Sequence, residues 1–276
     1  MSMNSFHARQ TRKPPRAAPP PAGRAPGMVR ADVLLVRQGL AASRAEAQGF
    51  IGAGRVGWAG GAISKPAQAL SVGTKLTLAA SDESRHVSRG GLKLAGALKK
   101  SGLPVAGLVC LDVGQSTGGF TDCLLQGGAA RVVGVDVGRG QLHPRLTREA
   151  RVTAFEGINC RALTAADLGE SMPAAGFDLI VADVSFISLA LVLPSLPALL
   201  GAAGNMLLLV KPQFEVGPAN VGKGGIVRDP ALYAGVEERL RACAHALRLK
   251  VRGWFDSPIT GSDGNREFFI WISHDH

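Results

Sequence analysis

Three charged residues, Asp183, Lys211 and Glu267, stand where apolar segments begin or end, and a fourth, Lys93, lies in a helical pattern ahead of them. Asp183 closes the run DLIVAD (178–183) and Lys211 closes MLLLVK (206–211). Pro212 stops the chain behind Lys211, as proline does at the end of a buried strand. Glu267 opens the final apolar segment, and Lys93 lies in a helical pattern ahead of the first one. If these segments are strands of one sheet, all four charges fall at one edge. Two amines and two carboxylates at one edge suit the activation of a hydroxyl. A lysine that is desolvated and pressed by another cation can act as a base near neutral pH, while carboxylates orient it.

A glycine loop lies beside them in CLDVGQSTGGFTDCLL (110–125). The glycines follow G-x-x-x-G-G at 114, 118 and 119, which matches neither the phosphate P-loop nor the dinucleotide fingerprint. Asp136 ends the next apolar run, VVGVD, where a carboxylate can accept two ribose hydroxyls. An acid there serves nicotinamide and S-adenosylmethionine sites alike. Asp112, directly before the loop, favours S-adenosylmethionine, whose amino group needs a carboxylate partner. Gly114, Ser116, Thr117, Gly118, Gly119 and Phe120 then line the cofactor, with Asp183 nearby and Asn159 toward the adenine. The plainer reading is a tight turn with a capping aspartate. With this loop, the four charges fit methyl transfer from a sulfonium to a ribose 2′-hydroxyl. There the remaining gain is alignment of oxygen, methyl and sulfur.

The elements that must position these residues read as an alternation. Strand patterns fall at 108–113, 131–136, 152–155, 178–183, 205–211, 249–255 and 267–272, with helical patterns between most of them. This predicts a Rossmann-like α/β fold with a mostly parallel seven-stranded sheet. The last two strands leave no room for a helix between them and are expected to pair antiparallel at one edge. A helix is expected from about Ser88 to Lys100 with Leu92, Ala95 and Leu98 on its buried side. The glycine-rich loop 214–228 is expected to be a mobile cover beside Lys211.

Charge divides the chain. Residues 1–102 hold 16 Lys and Arg against 4 Asp and Glu, and residues 103–276 hold 15 against 17. A basic N-terminal third points to a polyanion, most simply nucleic acid. Residues 1–27, with six prolines and no acid, read as a disordered basic tail. Residues 28–80 read as a small α+β module: a helix around Val33, Leu34 and Leu40, and a second one opened by Ser43 and Glu46 and ending at Gly52 or Gly54. Strand candidates follow at 55–58 and 75–78, with a Gly60-Gly61 turn. Residues 81–92 bridge this module to a domain spanning 93–276. Arg30, Arg44, Arg55, Arg85 and Arg89 are the candidate RNA contacts. The four cysteines lack a CxxC pair and read as reduced thiols, with no metal assigned. The chain opens without an apolar leader, which predicts a cytoplasmic protein. Residues 184–210 carry no charge and are long enough to span a bilayer. Pro194, Pro197, Gly201, Gly204 and Asn205 interrupt them, which favours a helix, a turn and a buried strand.

These motifs in order resemble a known family. Residues 28–80 are similar to the S4 RNA-binding domain through Arg30, Asp32, the Ser43-Arg44 pair, Ala47, Ile51, GRV (54–56) and KP (65–66). With VSRGGLKL (87–94), the glycine loop, VDVGRGQL (135–142), DVSFISL (183–189), LVKPQFE (209–215), VGKGGIVRD (221–229) and SPITGSDGNREF (257–268), the chain resembles the TlyA family. These are ribosomal RNA 2′-O-methyltransferases once described as hemolysins. The resemblance implies a catalytic tetrad at Lys93, Asp183, Lys211 and Glu267. It also implies S-adenosylmethionine as cofactor and cytidine in ribosomal RNA as target, in the large subunit and for some members the small one. Two departures stand out. Gln115 replaces the usual small residue and would crowd or extend the methionine pocket. Ser84-Arg85-His86-Val87 replaces an Arg-x-Trp-Val linker found in some members. The rival readings are a membrane-lytic protein and an RNA-binding scaffold with an inactive methyltransferase fold.

Overall fold

The computed structural model describes residues 27–41, 43–52, 54–79 and 86–275. Of the expected tail over 1–27 all but Gly27 lies outside the described residues, and so does Arg85. The chain divides into two compact units between residues 79 and 80.

The first unit holds β1 (Met28–Arg30), α1 (Ala31–Arg37), α2 (Arg44–Gly52), β2 (Val56–Trp58), β3 (Gly61–Ala62), β4 (Ala69–Ser71) and β5 (Leu76–Leu78). Both expected helices form, although the first ends at Arg37 and leaves Leu40 outside it. The amide of Glu46 donates to Ser43 Oγ at 3.2 Å at the start of α2. Both expected strands are present and pair antiparallel, Val56 opposite Leu78. The expected Gly60-Gly61 turn is displaced by one residue: Trp58 pairs with Gly61, so Ala59 and Gly60 form the turn. Strands β1, β3 and β4 were not foreseen. Leu34, Leu35, Ala47, Ile51, Val56, Ile63 and Leu70 close a core of their own.

The second unit alternates as expected: α3 (Gly90–Ser101), β6 (Val109–Val113), α4 (Gly119–Gln126), β7 (Arg131–Asp136), α5 (Pro144–Thr147), β8 (Val152–Glu156), α6 (Ala165–Leu168), β9 (Phe177–Ala182), α7 (Leu189–Val192), β10 (Leu200–Val210), α8 (Ala231–Ala246), β11 (Leu249–Asp256) and β12 (Phe268–His274). The seven strands lie in the order β11-β12-β10-β9-β6-β7-β8. β12 runs antiparallel to both β10 and β11, and the other neighbours pair parallel.

Strand side chains alternate between two faces, and both faces are covered. Cys110, Val132, Leu179, Val181, Leu207 and Phe269 pack with Leu94 and Ala97 of α3 and Phe120 and Leu124 of α4. Leu111, Val133, Ile180, Leu208 and Ile270 pack on the opposite side with Val192 of α7 and Val236 and Leu240 of α8. The uncharged run 184–210 is spent on this sheet: it forms α7, two short 3-10 turns and β10. No helix among the described residues is long and apolar enough to cross a membrane.

Two expectations about α3 need correction. It begins at Gly90 rather than Ser88. Its most buried positions are Gly91, Lys93, Leu94 and Ala97, whereas Leu92, Ala95 and Leu98 are only partly covered. The inward face therefore carries a lysine, which a purely apolar count assigns to solvent.

Candidate active site

The sheet brings the four charged residues to one edge. Asp183 follows β9, and its amide donates to Val113 O at 2.9 Å. Lys211 follows β10, whose last residue, Val210, pairs with Phe268 at the start of β12. Glu267 precedes β12 by one residue instead of beginning it, so it lies across from Lys211.

They form two ion pairs. Lys93 Nζ lies 2.6 Å from Glu267 Oε2, and Lys211 Nζ lies 2.6 Å from Asp183 Oδ1. Lys211 Nζ also donates to Ser185 Oγ at 2.6 Å. The Lys93–Glu267 pair is the more enclosed one, with side chains 10% and 2% exposed. Burial raises the Glu267 carboxyl above its ordinary pKa, against the pull of Lys93 and Lys211, and Asp183 adds to the rise. Gly90 brings the start of α3 close to Asp183: a Cβ there would sit 3.7 Å from Asp183 Oδ2. The positive end of a helix suits a carboxylate at that spot.

The glycine loop forms the neighbouring wall of the same cleft. Gly114 has φ +82°, and a Cβ on it would lie 2.7 Å from Asp183 O. Gly118 has φ +89° and caps α4. A Cβ on Gly119 would overlap Ser88 Oγ. Ser88, Arg89, Lys93, Gln115, Ser116, Thr117, Phe120, Ser185, Lys211, Thr260 and Ser262 line the cleft with them. In a larger hollow against β11, Arg266 pairs with Asp256, Lys100 lies over the Phe255 ring and Arg252 donates to Ser273.

A backbone folded this tightly around an open cleft is a cradle for a small ligand. The comparisons with known proteins agree. The FtsJ-like methyltransferase model matches residues 86–274. A Mycobacterium tuberculosis protein named 16S/23S rRNA (cytidine-2′-O)-methyltransferase TlyA is 47% identical over 248 residues, covering 88% of this chain and 89% of that one. YqxC of Bacillus subtilis, named as an rRNA methyltransferase, is 45% identical and covers 88% of this chain and 85% of its own. The chain belongs to the FtsJ-like methyltransferase family. A solved Streptococcus thermophilus protein, named there as a hemolysin, superposes with a TM-score of 0.68 at 40% identity, covering 91% of this chain and 90% of that one.

Within this methyltransferase the remaining sequence candidates fall as follows. Asp136 Oδ2 accepts from Ser116 N at 2.8 Å and Oδ1 from Gly138 N at 2.6 Å, so it ties the glycine loop to the turn after β7. Ser116 itself has φ +47°. Asn159 Oδ1 accepts from Arg161 N at 3.1 Å and caps a short 3-10 turn. Asp112 is fully buried under the loop and accepts from Thr121 Oγ1 at 2.6 Å. Burial pushes its carboxyl up to about 7, although Thr121 pulls the other way. Gln115, expected to crowd or extend the methionine pocket, lines the cleft, is 5% exposed and donates to the buried Thr121. Arg89 reaches Thr260 O at 3.2 Å at the cleft.

In the first unit the arginine candidates have partners already. Arg30 grips Asp32 through two nitrogens at 2.8 and 2.9 Å, and Arg44 NH2 reaches the same carboxylate at 3.1 Å. Arg55 donates to Ala79 O and lies over the Phe50 ring at 4.7 Å. Arg44 stays 58% exposed while doing so.

Sequence reasoning gave no role to Ser185 or Phe186. Ser185 lies between Asp183 and the rest of DVSFISL, a spacing that suits a polar contact to Lys211. Phe186 is 91% exposed with φ +63°, and its ring lies 5.2 Å from Phe214. The loop 214–228 is tied at its far end: Val227 N donates to Asn265 Oδ1 at 2.9 Å, and Asn265 Nδ2 donates to Gly225 O at 2.8 Å.

Proposed function

We propose that this chain is a cytoplasmic enzyme that methylates the 2′-hydroxyl of cytidine in ribosomal RNA, using S-adenosylmethionine. The observation that carries the reading is the pair of lysine–carboxylate contacts, each 2.6 Å, opening into the same cleft as the glycine loop. The relatives' names supply the acceptor class, cytidine in the RNA of one or both ribosomal subunits.

The residues fit the cofactor. Gly114 and Gly119 let the loop backbone pack against Asp183 and Ser88 where a side chain would not fit, Phe120 provides an apolar wall, and Asp112, buried beneath the loop, keeps Oδ1 without a hydrogen-bond partner among the described residues as an acceptor for an ammonium group. Asp136 and Asn159 would serve the adenosine side. S-adenosylmethionine, when bound, supplies a methyl group on a positively charged sulfur. Lys211, once its ammonium has released a proton to solvent, would take the hydroxyl proton, and Asp183 and Ser185 hold that amine in one position. Lys93 and Glu267 close the inner side of the cleft and keep water from one flank of it.

The first unit reads as an S4-like RNA grip. Arg30, Arg44 and Arg55 keep their side chains pre-ordered on Asp32 and Phe50, so less rotamer freedom is lost on meeting phosphate. Arg85 and Arg89 extend the set. Phe186 offers an exposed ring against which an RNA base can lie. The uncharged run argues against a lytic helix because its apolar residues already fill the sheet core. Incubation of the full chain with S-adenosylmethionine and ribosomal subunits, followed by mapping of 2′-O-methylation, tests the reading. It expects new methyl groups on cytidine ribose, and methylation on a base alone would refute it.

A further inference from the structure

At the glycine loop lies a row of three polar side chains, of which the chemistry above uses only Asp112. Gln115 Nε2 donates to Thr121 Oγ1 at 2.9 Å, and Thr121 Oγ1 donates to Asp112 Oδ2 at 2.6 Å. Asp112 and Thr121 are fully buried and Gln115 nearly so. Asp112 Oδ1 is also buried and has no hydrogen-bond partner among the described residues. The row has a seat made for it. Asp112 pairs with Gly134 across β6 and β7, and a Cβ on Gly134 would overlap the Gln115 amide.

The hydrogen count fixes the direction of the row. A threonine hydroxyl has one hydrogen to give. Gln115 presents its N–H to that hydroxyl, so the hydroxyl hydrogen goes to Asp112. Oδ2 is thereby occupied and Oδ1 is left as an acceptor. The carboxylates of Asp183 and Asp136 bear on Asp112 and disfavour its charge further. A buried carboxylate oxygen without a donor is costly, and sites of this kind are kept where a ligand completes them. A small residue at position 115 would leave Gly134 uncovered and Thr121 free to turn its hydroxyl elsewhere.

We propose that Gln115 is a positioning residue that, through Thr121, holds Asp112 with one oxygen free for the amino end of the cofactor. The proposal rests on the S-adenosylmethionine reading above. Calorimetry on the full chain tests it with two ligands: S-adenosylmethionine, and 5′-methylthioadenosine, which keeps the adenosine and thioether but lacks the amino-acid end. Gln115→Met keeps the cover over Gly134 and removes the N–H. It should bind S-adenosylmethionine roughly five- to tenfold more weakly, the size of one lost hydrogen bond. Its affinity for 5′-methylthioadenosine should equal that of the wild type. Thr121→Val should give the same split between ligands, and the double variant should be little worse than either single one, because both cut one row. Equal weakening toward both ligands, or no weakening toward either, would overturn the proposal. A wild-type chain that fails to bind S-adenosylmethionine overturns the cofactor reading itself and the proposal with it.

Discussion

Among the described residues each unit buries one aspartate completely, and the two are treated in opposite ways. Asp32 in the first unit receives Arg30, Arg44 and Gln48. The Arg30 guanidinium holds its carboxyl well below the usual carboxylate range. Asp112 in the second unit receives Thr121 and keeps one oxygen without a partner. Burial pushes its carboxyl up to about 7. A saturated buried carboxylate is a fastener. A buried carboxylate left short of donors beside a cleft marks a place where something else binds. The contrast separates a stability role from a ligand role for the same residue type at the same burial.

The larger effect is expected at Asp32. Asp32→Asn removes the charge that Arg30 and Arg44 share and should destabilise residues 27–79 by about 2 kcal/mol at pH 7. Amide hydrogen exchange in α1 and α2 reads it, and cofactor affinity should not move. Because the native pKa is lowered, this stability is present above the unfolded value of about 4 and is lost as pH falls below it. The wild type and the variant should therefore converge in acid. Equal exchange at pH 7 would break the contrast from this side.

A smaller effect of opposite sign is expected at Asp112. Its pKa is raised, so its contribution is fully present below about 4 and is lost as pH rises through about 7. Asp112→Asn should thus raise the melting temperature of the ligand-free protein at pH 8, by roughly 2–4 °C, and change it little near pH 4. The same variant should bind S-adenosylmethionine more weakly. A variant that melts lower at pH 8 would show that Asp112 is a fastener like Asp32, and the contrast would fail.

Much of the second unit was legible because its signals are long. Runs such as DLIVAD and MLLLVK end in a charge or a proline, and a strand whose both faces are covered reads as a continuous apolar run. Those ends placed Asp183 and Lys211 on one edge, the start of an antiparallel last strand added Glu267, and the helix ahead of the first strand brought Lys93 over it. The buried face of α3 was not legible, because Lys93 lies on it and gains its right to burial from Glu267, 174 positions away. The burial of Gln115 depends on the absent side chain of Gly134, which local sequence cannot reveal. Strands β1, β3 and β4 are two or three residues long, too short to show an alternating pattern. The exposure and left-handed backbone of Phe186 follow from the turn after β9, and DVSFISL by itself reads as apolar filler.

The central claim is that Lys211 receives the proton of the attacking 2′-hydroxyl. Single-turnover methyl transfer by Lys211→Arg is its most direct test. Arginine keeps the positive charge and can still meet Asp183 and Ser185, but a guanidinium does not give up its proton near neutral pH. The rate of Lys211→Arg should fall about 10²–10⁴-fold, close to that of Lys211→Ala, with S-adenosylmethionine and RNA still bound. A Lys211→Arg enzyme that keeps most of the wild-type rate would contradict the assignment and leave Lys211 as a fixed positive charge.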